Sequence, residues 1–335
     1  MNERQNGLHM LNIERLGLST NLPKSVIKIR VYFNYNSIIY RKPIINNPKS
    51  PYKVIDNLIY YQKDVLDVKI DNFSDDIPEP YYFRSRYILV ISSTFLSPCS
   101  QGCVFCEQTQ VQAEKRRYSI RFDPDDLFEK VLKENKMKDL SQLEQISVIT
   151  SCTGFEENAI KLLKGYIKAA YQKGFTGKFL FATNEIRSQV ALEQMAKMGH
   201  TMLAFTVECF SRRKFLMPGT KGEIGLEEIK AILKQAAEIG IPTTYFYIIG
   251  LDNLRNMKKG FMYLKEILSY APTYSIYYHQ SRAKNRVIPL RPLKYYLRAR
   301  KIYNEAHRGL QKFESCQSFR SLWPLENNKL PTLIK

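Results

Sequence analysis

Three cysteines carry the most readable chemistry in this chain: Cys99, Cys103 and Cys106, in the run Cys-Ser-Gln-Gly-Cys-Val-Phe-Cys. Thiolates are soft ligands that select zinc, copper(I) and iron–sulfur clusters. Spaced by three and then two residues, they let one short loop wrap three corners of an iron–sulfur cube, and Gly102 lets the backbone bend close to it. A structural zinc site takes four ligands, and a simple electron-transfer cluster is held by four Cys. No fourth Cys or His lies nearby: the His are His9, His200, His279 and His307, and the other Cys are Cys152, Cys209 and Cys316. The missing ligand predicts an iron left open to a substrate or cofactor. The alternative is a non-enzymatic protein that binds zinc or an inert cluster.

Such a loop needs a rigid carrier. From residue 87 onward, short β-branched and aromatic runs alternate with amphipathic helical patterns, the signature of βα units on a parallel sheet. Strands are predicted at 87–91, 146–149, 179–181, 202–207, 243–249 and 273–278. The first helix has Asp123 as N-cap and Pro124 at its first position, continuing through Leu127, Val131 and Leu132. The second buries Ile160, Leu163, Ile167 and Ala170 and stops near Gly174. Further helices are expected at 190–198, through Leu226, Ile229, Leu233 and Ala236 to Gly240, at 257–268, and after Pro292. Six such units predict an α/β fold, a partial (β/α)6 TIM-like barrel. Functional groups then belong at the C-terminal ends of the strands, where the Cys loop sits.

At these residues the sequence resembles the radical S-adenosylmethionine (radical SAM) superfamily, whose hallmark is CxxxCxxC on the loop after the first barrel strand. Phe105, the aromatic before the last Cys, fits the same pattern. Thr153-Gly154-Phe155-Glu156 follows the second strand, where the family carries a Gly-Gly-Glu motif for the SAM amine; Phe155 replaces its second Gly. Thr183-Asn184 ends the third strand as in a Thr-Asn-Gly motif, with Glu185 in place of the Gly. Glu208 stands at the position of the ribose-binding acid, and Arg212 or Arg213 is placed to pair with the SAM carboxylate. The run from Ile248 to Asp252, with Ile249 and Gly250, resembles the adenine-contacting Gly-x-Ile-x-Gly motif. The resemblance covers residues 87–280. It implies a single [4Fe–4S] cluster on Cys99, Cys103 and Cys106, SAM chelated at the open iron, and a flavodoxin- or ferredoxin-type electron donor. It further implies reductive cleavage of SAM to a 5′-deoxyadenosyl radical that abstracts hydrogen from a substrate.

The remaining candidates are thinner. Cys152 and Cys209 fall at the ends of strands two and four, as ligands of an auxiliary cluster, sulfur or hydrogen donors, or small buried hydrophobes. Cys316 in the tail has the weaker functional case, and His279, just past the sixth strand, is a substrate contact or a structural histidine.

Residues 1–86 break the rhythm. Strands at 26–33, 37–40 and 65–70, separated by Asn/Pro/Ser turns, predict a small β-rich N-terminal extension or cap. The expected organisation is therefore 1–86, a core at 87–280, and a basic helical C-terminal tail at 281–335.

The 335 residues carry 51 Lys and Arg against 32 Asp and Glu, a net charge of +19. With 44% hydrophobic and 25% charged residues, disorder, collagen and a disulfide scaffold are excluded. Thirteen of the nineteen positive charges arise in residues 255–335, and 281–301 alone hold eight basic residues and no acid, interleaved with Tyr295 and Tyr296. This predicts an anionic partner. The leading reading is an anionic small molecule; nucleic acid bound through 281–301, as in tRNA or rRNA modification, is the second. A ribosomally made peptide held by residues 1–86 is the third. The N-terminus mixes both charge signs without an apolar run, and no stretch has the length of a membrane helix, so a cytoplasmic location away from membranes is expected.

Overall fold

The computed structural model describes residues 3–26, 28–35, 38–75, 80–85, 87–92, 99, 101–106, 123–149, 152–277 and 288–311. His279, Cys316 and residues 281–287 lie outside the described residues.

The N-terminal part is a helix, α1 (Glu3–Leu16), against a five-stranded sheet. Its strands are β1 (Lys28–Tyr35), β2 (Ile38–Ile45), β3 (Tyr52–Ile55), β4 (Leu58–Tyr61) and β5 (Asp64–Asp75), in the antiparallel order β2-β1-β5-β4-β3. Period-two alternation sorts the faces. Ile29, Val31 and Phe33 of β1 and Leu66, Val68 and Ile70 of β5 point inward onto Met10 and Ile13 of α1. Each such side chain contributes about 1.5–3 kcal/mol on full burial. One ion pair runs through this core, Lys42 Nζ to a Glu14 carboxylate oxygen at 2.8 Å, with both side chains almost wholly buried. Helix α1 and the β3–β4 hairpin were not anticipated.

The second sheet has seven strands in the order β12-β11-β10-β9-β8-β7-β6. Six are parallel and consecutive: β7 (Ile88–Ser92), β8 (Gln145–Ile149), β9 (Lys178–Thr183), β10 (Thr201–Glu208), β11 (Thr243–Ile249) and β12 (Thr273–Ile276). The seventh, β6 (Tyr81–Ser85), lies antiparallel to β7, so the sheet begins on the N-terminal side of residue 87. The crossover helices are α2 (Pro124–Glu134), α3 (Glu156–Gln172), α4 (Gln189–Lys197), α7 (Leu226–Glu238) and α8 (Leu254–Leu264). Two short turns, α5 (Arg213–Leu216) and α6 (Thr220–Glu223), precede α7, and α9 (Leu293–Ala306) closes the described chain.

Both faces of these strands are covered, which is why they read as unbroken apolar runs. Phe179, Phe181, Leu203, Phe205, Tyr245 and Tyr247 meet the helices. Val90, Leu180, Ala182, Met202, Ala204 and Phe246 fill the opposite, inner face. The expected helix signals hold: Asp123 Oδ1 caps the Asp125 N–H at 2.8 Å, and Gly174 and Gly240 end helices with left-handed φ of 81° and 82°. The partial TIM-like barrel is therefore observed.

Helix α1 also reaches the barrel. Leu11 belongs to the large barrel core, and Arg15 Nη1 donates to the Arg291 carbonyl at 3.3 Å, just ahead of α9.

Candidate active site

The Cys loop is pinned to the segment between β10 and α7. Val104 N–H donates to the Leu216 carbonyl at 3.0 Å, and Cys103 and Phe105 are buried against Leu216, Met217 and Leu251. Gln101 makes the second attachment: its Nε2 donates to Thr220 Oγ1 at 3.1 Å, and its Oε1 accepts from Lys221 N–H at 3.2 Å. Gly219 is required here. Its φ is 86°, and a Cβ would stand 2.8 Å from Gln101 Oε1.

Strand β10 ends in a strained turn. Glu208 has φ 65°, uncommon for a residue with a side chain, and the register of β10 against β11 shifts at this point. The Cys209 N–H closes back onto the Val207 carbonyl at 2.8 Å, making Glu208 the centre of a three-residue turn. Two buried side chains hold it. The Arg213 guanidinium donates to the carbonyls of Val207, Cys209, Lys221 and Ile224 at 2.5, 2.7, 2.9 and 2.9 Å. The Asp252 carboxylate accepts from the N–H groups of Phe210 and Ser211 at 2.7 and 2.8 Å and from Tyr247 Oη at 2.9 Å. Thus aimed, Glu208 meets the buried Lys221 ammonium at 2.9 Å. The expectation for Arg213 is corrected: its guanidinium is committed to backbone carbonyls. Arg212 is exposed, with one Nη2 bond to the Leu251 carbonyl at 2.8 Å.

Across the mouth, β8 and β9 are joined by carboxylates. Glu185 accepts from Gly154 N–H at 2.6 Å, Thr153 N–H at 2.9 Å and Thr153 Oγ1 at 3.0 Å, fixing the turn in which Gly154 has φ 93°. Glu156 makes a second such link. Its Oε1 accepts from the N–H groups of Arg187 and Ser188, where it satisfies donors ahead of α4. Asn184 is buried, with its Oδ1 facing Cys152 Sγ at 3.1 Å and Thr206 Oγ1 at 3.3 Å.

At the end of β11, Gly250 has φ 117°, and a Cβ would press to 2.9 Å from Tyr277 Cβ. The Ile249 carbonyl accepts from Tyr277 N–H at 2.8 Å. Helix α9 seals this side, with Tyr295 Oη on the Asp252 carbonyl at 2.6 Å and Tyr296 Oη on the Tyr277 carbonyl at 3.1 Å. Both rings are buried, so the expected basic stripe lacks its aromatic component. Its exposed cations on α9 are Lys294, Arg298 and Lys301.

The thiols are electrostatically distinct. A side-chain hydrogen bond from Cys152 lowers the Cys99 thiol to about 6, whereas burial pushes Cys103 up to about 12. Cys152 and Cys209 are raised, Cys152 first by its bond to Cys99 and Cys209 by burial. Lys221 sits within electrostatic reach of Cys99, Cys103 and Cys152, and its pKa is raised: burial opposes its charge, but Glu208 acting together with Cys103 and Cys152 outweighs it. Among the described residues, no three His, Cys, Asp or Glu side chains form a group able to hold a single metal ion. A cubane asks for a different arrangement, one soft thiolate per iron. A loop bringing Cys99, Cys103 and Cys106 to one wall beside a buried cation fits that demand.

Residues 95–259 match the family model of the Radical SAM superfamily. They form a radical SAM domain. Solved structures agree in fold. HydG, a maturase of the [FeFe]-hydrogenase, is similar over 71% of this chain and 54% of its own, at 14% identity and TM-score 0.50. HydG from Carboxydothermus hydrogenoformans covers 73% and 57%, at 15% identity and TM-score 0.49. Streptococcus suis SuiB, solved bound to S-adenosylmethionine, covers 70% and 52%, at 14% identity and TM-score 0.48. The chain spans about half the length of each of these proteins. No curated protein matches it. The cofactors of the family to which this domain belongs are a [4Fe–4S] cluster and SAM.

Reasoning from sequence missed Gln101, Glu185, Lys221 and Asp252. Gln101, Glu185 and Asp252 lie inside the runs read as motifs but were given no role there, because the partners of the four are 120, 31, 13 and 42 residues away.

Proposed function

We propose that this enzyme binds SAM between the Cys loop and the ends of β10 and β11, and uses it to abstract hydrogen from a polar, anionic small molecule. Cys99, Cys103 and Cys106 would hold the cluster, which supplies the electron for SAM cleavage when bound. Phe105, Thr153, Gly154, Asn184, Glu208, Arg212, Ile249 and Gly250 are the proposed SAM surroundings, with Glu208 toward the ribose and the Ile249–Gly250 backbone toward the adenine. The observation carrying this reading is the attachment of the thiol loop through Gln101 to the segment bearing Lys221, which is paired with Glu208. It gathers soft ligands, a buried cation and an acid at one strand end, where a zwitterionic sulfonium and an anionic substrate both find complementary charge. An acidic flavodoxin- or ferredoxin-type donor and a cytoplasmic location complete the proposal. No helix of the described residues is long and apolar enough to cross a membrane.

Anaerobic reconstitution with iron and sulfide, followed by SAM and a reductant, is expected to yield 5′-deoxyadenosine. Its absence overturns the reading. A second reading, RNA modification, draws on the exposed basic flank of α8 and α9, Arg255, Lys258 and Lys259 with Lys294, Arg298 and Lys301. Copurifying RNA whose affinity falls steeply with salt favours it; salt-insensitive behaviour without RNA favours the small molecule.

A further inference from the structure

Helix α8 turns Met257, Gly260, Phe261 and Leu264 into the barrel core. Arg255, Lys258 and Lys259 stand at i, i+3 and i+4 on its other side, all exposed, and Met262 and Tyr263 continue the same stripe. These five residues line one open groove. The Tyr263 ring is its fixed wall: the hydroxyl donates to the Glu227 carboxylate of α7, and Lys230 Nζ stands 4.3 Å from the ring centroid. Helices α2, α3 and α7 carry acids in their first turn, as the helix dipole favours, whereas α8 carries Arg255 there. The positive charge at the start of α8 therefore does nothing for the helix itself.

The groove begins close to the ligand loop. Leu251 packs with Cys103 and Phe105, and Arg255 follows four residues later, a span of at most about 14 Å. Helix α9, packed against α8, presents Lys294, Leu297, Arg298 and Lys301 to solvent. Two apolar side chains stand among these cations, Met262 at 52% exposure and Leu297 at 42%.

We propose that the outward face of α8 is the docking surface for the acidic protein that delivers the electron for SAM cleavage. This rests on the radical SAM reading of the three-Cys loop. The donor, a flavodoxin in its hydroquinone form, gives up one electron and becomes the semiquinone as the cluster gains it. The cations steer an acidic partner and set the encounter rate. Met262, Tyr263 and Arg255 are the residue types enriched where protein partners meet. A nucleic acid draws its affinity from the cations alone, and its phosphates would meet the Glu227 carboxylate beside the groove. Mixed charge around an exposed thioether and a fixed ring fits a folded acidic protein rather than a phosphate backbone.

The test compares the reconstituted unmodified chain with the double variant Lys258→Glu, Lys259→Glu and with Met262→Ala, forming 5′-deoxyadenosine from SAM. With sub-saturating flavodoxin hydroquinone as reductant, the double variant is expected to be about tenfold slower, and the rate of the unmodified chain to fall with salt. Met262→Ala is expected to be slower by about threefold. With dithionite, which needs no docking, all three chains are expected to match. A flavodoxin-driven rate that is unchanged in both variants, or that falls equally with dithionite, overturns the proposal alone. RNA that leaves the chain in the double variant while the flavodoxin-driven rate holds reassigns the face to nucleic acid and overturns it too. An unmodified chain that makes no 5′-deoxyadenosine with dithionite overturns the radical SAM reading with it.

A second measurement does not depend on turnover. A carbodiimide joins carboxylates of bound flavodoxin to lysine amines with loss of water, and peptide mapping is expected to find Lys258 or Lys259 among the linked residues. Links confined to other lysines, or no link at all, overturn the docking surface.

Discussion

The N-terminal sheet and the barrel mouth both turn the chain through left-handed residues, under opposite conditions. In the sheet, Asp56, Asn57 and Gln62 have φ of 48°, 62° and 57° and all are exposed, with the Asn57 carbonyl accepting from Ile70 N–H at 2.8 Å. At the mouth, Glu208 has φ 65° and is held by the buried Arg213 and Asp252. Asp and Asn tolerate that conformation through local hydrogen bonds, and Glu does not share the advantage. Strain kept at a half-buried carboxylate, with dedicated supports, marks the place where the fold spends stability on aim. In the sheet, the buried ion pair of Lys42 with Glu14 docks a helix instead.

Breaking each region separates these roles. The largest effect is expected at the ligand loop, where Cys99→Ala, Cys103→Ala or Cys106→Ala each abolishes the cluster's visible absorbance and 5′-deoxyadenosine formation. Asp252→Ala strips the buried Phe210 N–H and the part-buried Ser211 N–H of their acceptor, at about 1–3 kcal/mol for the buried one. It is expected to lower stability in urea and weaken SAM binding together. Lys42→Met removes the ammonium that faces the buried Glu14 carboxylate and is expected to cost about 3–5 kcal/mol. Urea denaturation should show this loss, while the SAM affinity of the folded fraction stays unchanged.

Acid sharpens the contrast. His307 is buried beside Phe261 and Tyr303, and burial lowers its pKa from 6.5 to about 4. The unfolded chain therefore binds the extra proton first, so His307 makes stability fall as pH drops from about 6.5 to about 4. The loss amounts to about 3 kcal/mol. His307→Phe is expected to flatten that part of the pH–stability curve by up to one proton. The smallest effect is reserved for the exposed hairpin: Asn57→Gly should change stability by no more than about 0.5 kcal/mol, read by thermal unfolding.

Much of the barrel was legible because each unit buries both strand faces and one helix face, leaving two clean periodicities in the chain. Strand β8, expected at 146–149, is observed at Gln145–Ile149, and Asp123 and Pro124 start α2 as read. The ligand loop was legible because its residues are contiguous. Helix α1 was not, since Gly7 and Asn6 interrupt it and its burial depends on a sheet formed later in the chain. The β3–β4 hairpin left a readable signal in Asp56-Asn57, a two-residue turn of left-handed formers. The supports of the mouth had no local signal at all. Gln101 and Lys221, or Glu185 and Thr153, become neighbours only when strands align.

The bond from Arg15 to the Arg291 carbonyl joins positions 276 residues apart. At about 5–20 residues per second, the ribosome needs roughly 14–55 s to make the intervening 276 residues. Helix α1 therefore waits through that interval before its barrel partner exists. During that interval the face destined for α9 is open to chaperones and proteases, and the yield of intact enzyme should respond to translation speed.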